Sequence, residues 1–211
     1  ETTSESAMDA IRQAAARLLA AERPVISVNG NTVVLAGKEL IRVAAVIGCP
    51  IEVNLYYRTP ERVSGLLDRL SQQRDAVASE PAPGGWEGNW QEAVGSVVLL
   101  GDAADHNLPG LEGPRAKCCR EGIGEADVIL VPLEDGDRCE ALVATGKQVL
   151  VVDLNPLSRT AMTATVTIVD EVSRAASELL GEIVSGDCEL SEWNNAAALN
   201  AALEIISDAA V

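Results

Sequence analysis

Short apolar runs, rich in β-branched residues, recur at residues 25–29, 51–55, 97–100, 128–131, 149–153 and 165–169, and each stops near a polar or glycine-containing turn. Between most of them lie longer segments in which Ala, Leu, Ile and Val return at helical spacing. Brief strands alternating with helices of that period predict parallel βαβ units. A first helix is expected over about 6–21, stopping before Arg23-Pro24 because proline disfavours a helical predecessor. A second is expected from about Gly37 to Ile47, with Gly48 as a left-handed cap. Thr59-Pro60-Glu61-Arg62 reads as an N-cap with proline in the first turn of a helix reaching about Ala76.

After the last strand two helices are expected, at about 170–183 and 190–209, separated by Ser185-Gly186-Asp187. The segment 79–91 is rich in Pro and Gly and carries two of the three tryptophans. It reads as a surface loop, with a lid over a ligand as the alternative. The fold class that follows is α/β: one Rossmann-like three-layer domain over 1–211, with a mainly parallel sheet and C-terminal helices.

Composition sharpens this picture. Hydrophobic residues make up 47% of the chain but aromatics only 2%, with no Phe, so the core is built from Ala, Val, Leu and Ile. The formal net charge is -16, with lysine only at 38, 117 and 147. Such a field argues against nucleic acid and against anionic membranes as partners. A lysine-poor acidic surface also suits a protein working at high salt, where screening shortens self-repulsion. The five cysteines show no CxxC spacing and read as free thiols. No apolar stretch approaches the ~20 residues needed to cross a bilayer, so a cytoplasmic protein is expected.

In open parallel sheets ligands gather beyond the carboxyl ends of the strands, which directs attention to five polar loops. Asn29, Gly30 and Asn31 follow the first strand; glycine permits close backbone approach and the asparagines donate and accept, though a plain turn reads equally well. No GxGxxG or GxxxxGK[ST] occurs, which argues against the common dinucleotide and Walker-type sites. Arg58, ahead of the Thr59 cap, is placed to grip a phosphate or carboxylate, or to lie on the surface. Arg115 and Lys117 form a local cationic pair in a cation-poor chain. His106, the sole histidine, reads as a loop residue.

The densest charge lies in Pro132-Leu133-Glu134-Asp135-Gly136-Asp137-Arg138. Its carboxylates suit Mg²⁺, ribose hydroxyls or proton transfer, and Arg138 a phosphate; the bland reading is an acid-decorated helix start. One strand later, Asp153-Leu154-Asn155 leads through Pro156 to Ser158, Arg159 and Thr160 near an expected helix start. Two consecutive polar strand ends of this kind predict one shared nucleotide pocket.

VISVNGN, IEVNLYYRTPERV, LPGLEGPRAK, EGIGEADVILVPLEDGDRCEAL and VVDLNPLSRTA, in that order, resemble the archaeal phosphopantothenate synthetase family, the 4-phosphopantoate–β-alanine ligases. The resemblance implies an ATP-dependent, AMP-forming ligase of coenzyme A biosynthesis that couples 4-phosphopantoate to β-alanine with Mg²⁺, working as a homodimer. On that reading the loops 132–138 and 153–155 bind ATP, with Asp135, Asp137 and Arg138 as catalytic residues. Asn29, Gly30, Asn31, Arg58, Arg115, Lys117, Ser158, Arg159 and Thr160 are assigned to the substrate. The family carries a further basic, glycine-rich segment ahead of the first helix, which is expected to be absent here. A non-catalytic nucleotide- or phosphometabolite-binding domain is the alternative that this expectation leaves open.

Overall fold

The computed structural model describes residues 2–209. Its main sheet has six strands, all parallel: β1 (Pro24–Val28), β2 (Ile51–Val53), β3 (Leu99–Leu100), β6 (Val128–Pro132), β7 (Gln148–Val152) and β8 (Val166–Ile168). They lie in the order β3-β2-β1-β6-β7-β8. The chain thus builds outward from β1 in one direction, returns, and builds outward in the other. This is the doubly wound Rossmann order, with its reversal between β1 and β6. A small antiparallel pair, β4 (His106–Asn107) and β5 (Lys117–Cys118), stands apart.

Alternation along the strands explains the layers. Ile26, Val28, Ile51, Val53, Val128, Leu130, Leu150, Val152, Val166 and Ile168 face one cluster. That cluster is closed by α1 (Glu5–Ala20), α2 (Gly30–Ile47), α3 (Pro60–Ser79), α4 (Trp90–Gly95) and α7 (Val172–Ser185). Val25, Ile129, Val131, Val149 and Val151 face a second, smaller cluster, where α5 (Gly136–Ala144) contributes Cys139 and Leu142. α6 (Arg159–Thr163) joins β7 to β8, and α8 (Asn195–Ala209) packs on α1, α6 and β8. The all-aliphatic composition serves this design, since small residues let α1 and α2 lie close to α7.

All six expected strands are present, although the third is confined to Leu99–Leu100. Four expectations need correction. α2 starts at Gly30 rather than Gly37, and Asn29 is its N-cap, accepting the Thr32 N–H at 3.1 Å. The helix carries a kink at Ala36 (φ -138°, ψ 17°), where buried Gln73 donates to the Val33 carbonyl at 2.9 Å. Helix-poor Gly30, Thr32, Val33 and Gly37 thus hold helix through a cap and a tertiary brace.

The second correction concerns the tryptophan segment. It is no lid: Trp90 opens α4, is buried, and donates its indole N–H to the Val77 carbonyl at 3.1 Å. Trp86 packs edge-on against Trp90, and Arg42 lies 5.8 Å from the Trp90 ring. The segment leads from the end of α3 into β3, so it lies at the amino ends of the strands, away from the carboxyl ends. The third is at the C-terminus, where α8 begins at Asn195; its side chain instead receives the Thr167 N–H at 2.8 Å. His106 lies in β4 rather than in irregular chain.

Among the described residues no helix is long and apolar enough to cross a membrane. All five cysteines are free; burial pushes Cys49, Cys118 and Cys139 up to about 12 and Cys119 to about 11, so none is a ready nucleophile.

Candidate active site

Where the strand order reverses, the ends of β1, β2 and β6 open a polar cleft of about 340 Å³. Asn29, Gly30 and Asn31 enter it at the start of α2, so the helix presents its N-terminal end to any anion bound there. Asn54, Tyr56 and Tyr57 come from the loop after β2, and Arg62 from the first turn of α3. Leu133, Glu134, Asp135 and Arg138 come from the end of β6 and the start of α5, and Arg115 reaches in from the segment before β5.

The β1 and β6 loops are stitched together. Asn29 donates its amide to the Leu133 carbonyl at 2.8 Å, and Thr32 its hydroxyl to the Pro132 carbonyl at 3.1 Å. Leu133 itself sits at φ 60°, the left-handed region that a non-glycine residue enters only when its surroundings impose it. Such strain commonly marks binding loops.

Charge is arranged in two tiers. On the floor, Arg138 is buried and pairs with Glu134, while both its terminal nitrogens reach Ser27 at 3.3–3.4 Å. Burial raises the Glu134 carboxyl above its usual range, with Arg138 as the main opposing influence. At the mouth, Arg115 bridges Asp135 at 2.8 Å and Asp137 at 2.7 Å, and lies 4.9 Å from the ring of Tyr56. The hydrogen bond from Arg115, then that from Arg159, holds Asp137 below the usual carboxylate range. Asp135 also N-caps α5 through the Arg138 N–H, so the bland reading of that run and the binding reading are both realised in one residue.

The expected site residues therefore divide. Asn29, Gly30, Asn31, Arg115, Leu133, Glu134, Asp135 and Arg138 share the cleft. Asp137 stands just outside it, on a neighbouring groove that Arg115 and Glu140 also line. Ser158 caps α6 and donates to Asp153, whose other oxygen accepts the Asn155 N–H. Thr160 donates to the Glu134 carbonyl at 3.0 Å, and Arg159 packs over Gly136, where a Cβ would come within 2.3 Å of its Nε. These residues brace the β6 and β7 loops without lining the cleft, and Leu154 beside them is exposed. Arg138 lines the cleft as expected and is held on its floor by Glu134 and Ser27.

Arg58 and Lys117 are not in the cleft; both line a second cavity across its wall. Asn54, Arg62 and the tyrosines are cleft residues that sequence reading passed over. The Thr59 cap was the available signal, because it places Arg62 in the first turn of α3. Glu52 was also missed. Fully buried in β2, it accepts the Cys119 and Ile123 N–H groups, each at 2.8 Å, and so anchors the turn 120–124 under the sheet.

A doubly wound parallel sheet with a polar, helix-ended cleft at its reversal point defines a Rossmann-like α/β protein of the ligand-binding kind. The model of the phosphopantothenate/pantothenate synthetase family matches residues 6–209, a stretch that contains every residue of the cleft. The chain belongs to that family. It is 45% identical over 175 residues to a 4-phosphopantoate–β-alanine ligase of Thermococcus onnurineus, covering 83% of this chain and 59% of that protein. The ligase of the same name from Thermococcus kodakarensis is 46% identical over the same coverage. That of Methanosarcina mazei is 44% identical over 179 residues, 85% of this chain and 62% of the relative. The chain thus spans about three-fifths of the length of the curated relatives it matches.

Proposed function

We propose that the chain acts in an ATP-dependent, AMP-forming ligase that joins 4-phosphopantoate to β-alanine, giving 4′-phosphopantothenate for coenzyme A. The observation that carries this reading is the family match over residues 6–209, whose relatives bear that ligase name. The cleft supports it physically. Joining a carboxylate to an amine requires activation: a carboxylate oxygen attacks the α-phosphorus, pyrophosphate leaves, and the amine then displaces AMP at the carbonyl. Negative charge develops on the phosphates throughout, so preorganised donors and cations are the main requirement.

This chain supplies them on opposed walls. The α2 N-terminus at Gly30 and Asn31 offers backbone N–H groups, Arg62 a guanidinium, and Arg115 a positive charge whose two terminal nitrogens are held by Asp135 and Asp137. Asp135 and Asp137 fix Arg115 and are the carboxylates available to Mg²⁺. Among the described residues no group of three or more His, Cys, Asp or Glu could hold a metal by itself. That fits Mg²⁺, which binds through one or two carboxylates and the substrate phosphates, and when bound would neutralise phosphate charge. Glu134 lines the cleft with its carboxyl held by Arg138 and by the Asp135 N–H, which fixes the floor beneath the substrates. The loops 132–138 and 153–155, braced by Ser158, Arg159 and Thr160, form the platform for the nucleotide. A homodimer is the assembly we propose.

The test is AMP release from ATP and Mg²⁺ with 4-phosphopantoate and β-alanine, each omitted in turn. AMP formed only with both supports the ligase. Tight ATP binding with no AMP under any condition turns the reading to a binding domain.

A further inference from the structure

Helix α3 buries one stripe, Val63, Leu70, Gln73 and Val77, and in that stripe Gln73 stands where an apolar side chain would pack. It is 8% exposed, and burying an amide is costly unless it is hydrogen-bonded. Among the described residues its side chain makes one hydrogen bond, from Nε2 to the Val33 carbonyl of α2 at 2.9 Å, while its Oε1 is buried without a partner. The same side chain fills the space beside Gly37, where a Cβ would lie 2.3 Å from Oε1 and 2.8 Å from Nε2. Ala36, between those two points of contact, leaves the helical region, as happens where a side chain reaches into a helix ladder. Ahead of that kink the chain carries the cleft. Gly30 and Asn31 line it, and Asn29 and Thr32 tie the turn to the Leu133 and Pro132 carbonyls of the facing loop. Thr32 and Val33 are buried, but Val34 and Leu35 are 68% and 53% exposed. Along this turn, then, the polar ties to neighbouring elements are the β6 loop at its start and Gln73 at its end.

We propose that Gln73 is a positioning residue for the nucleotide: through the Val33 carbonyl it sets the angle at which the first turn of α2, hinged at Ala36, presents its N–H groups to the phosphates. Gln73 itself lies outside the cleft and acts through that turn. The role rests on the reading of the cleft as the nucleotide site. A packing role alone would be met as well by an apolar side chain, with neither an unmet buried oxygen nor a glycine required at 37.

The probe is ATP with Mg²⁺, titrated calorimetrically into the whole chain. Gln73→Met keeps the length of the side chain, removes the donor and should fold. It is expected to weaken ATP binding about 10-fold, the contribution of one hydrogen bond to a charged group. In turnover, KM for ATP should rise by a similar factor while kcat changes less than about twofold. Amide hydrogen exchange should quicken at residues 32–35 and stay unchanged at 38–47. Gly37→Ala, which drives the amide away from Val33, should cause the same loss of affinity, and combined with Gln73→Met should add none. A lower melting temperature with ATP affinity within about twofold of the parent, exchange raised evenly along α2, or additive losses in the double variant would each overturn the role. A parent chain that binds no ATP would overturn the nucleotide reading of the cleft and the role of Gln73 with it. A parent that binds ATP equally well with and without the Gln73 amide would refute Gln73 alone.

Discussion

Replacing Arg138 by Met tests the floor of the cleft. The Arg138 side chain is 3% exposed and that of its partner Glu134 11%, so the pair is shielded from water. Removing the cation leaves a carboxylate desolvated and alone, which typically costs about 3–5 kcal/mol. The lower part of that range applies here, because Arg138 already has a buried Nε without a partner and its contacts to Ser27 are long. We therefore expect a loss of about 3 kcal/mol in urea unfolding. The double replacement Glu134→Leu with Arg138→Met should cost less than the sum of its parts, with a coupling of about 1–3 kcal/mol. The pH dependence adds a sign. Without Arg138, the Glu134 carboxyl, already raised by burial, rises further. A folded state that holds its proton more tightly than the unfolded chain is most favoured below the ordinary carboxylate pKa, and loses that advantage as pH rises through the folded value. Arg138→Met should therefore lose stability from mildly acid to neutral pH more steeply than the parent. A loss under about 1 kcal/mol with no pH dependence would mean that the pair is hydrated and that the floor is not as described.

Three further outcomes follow from the geometry. Asp137→Asn should change stability by less than about 1 kcal/mol, since its side chain is 48% exposed, yet lower kcat about 10-fold by releasing Arg115; steady-state kinetics beside a melting curve separates the two. Gly122→Ala should cost about 1–3 kcal/mol in denaturant unfolding, because a Cβ there meets Glu52 Oε2 at 2.2 Å and Leu100 Cδ1 at 2.9 Å; a neutral result would remove Glu52 as the anchor of that turn. Trp90→Ala should cost about 3–5 kcal/mol while KM for ATP stays unchanged, whereas a raised KM would restore the lid.

The sheet was legible because β-branched runs and helical period are local signals, and each strand end carried its own turn chemistry. The start of α2 was not. Gly30, Thr32, Val33 and Gly37 speak against helix locally, and the support comes from Gln73 on another helix, which touches the Gly37 position so closely that a Cβ would lie 2.3 Å from its Oε1. At the site, the acid-rich loop and its neighbour were found from their position after strands, yet their roles were not. Glu134 and Arg138 stand four apart within a charged run, and nothing in that run reveals that they are buried under the cleft. Arg58 and Arg62 also stand four apart; the fold sends one to each side of a wall, where Asn54 of their own loop meets the Lys117 carbonyl of β5 from elsewhere in the chain.

The most direct test of the account is a crystal structure of the protein with a non-hydrolysable ATP analogue, Mg²⁺ and 4-phosphopantoate. The account predicts the nucleotide phosphates between the α2 N-terminus and Arg115, beside Asp135. A nucleotide seated anywhere else, with the β1–β6 reversal left empty, would contradict it.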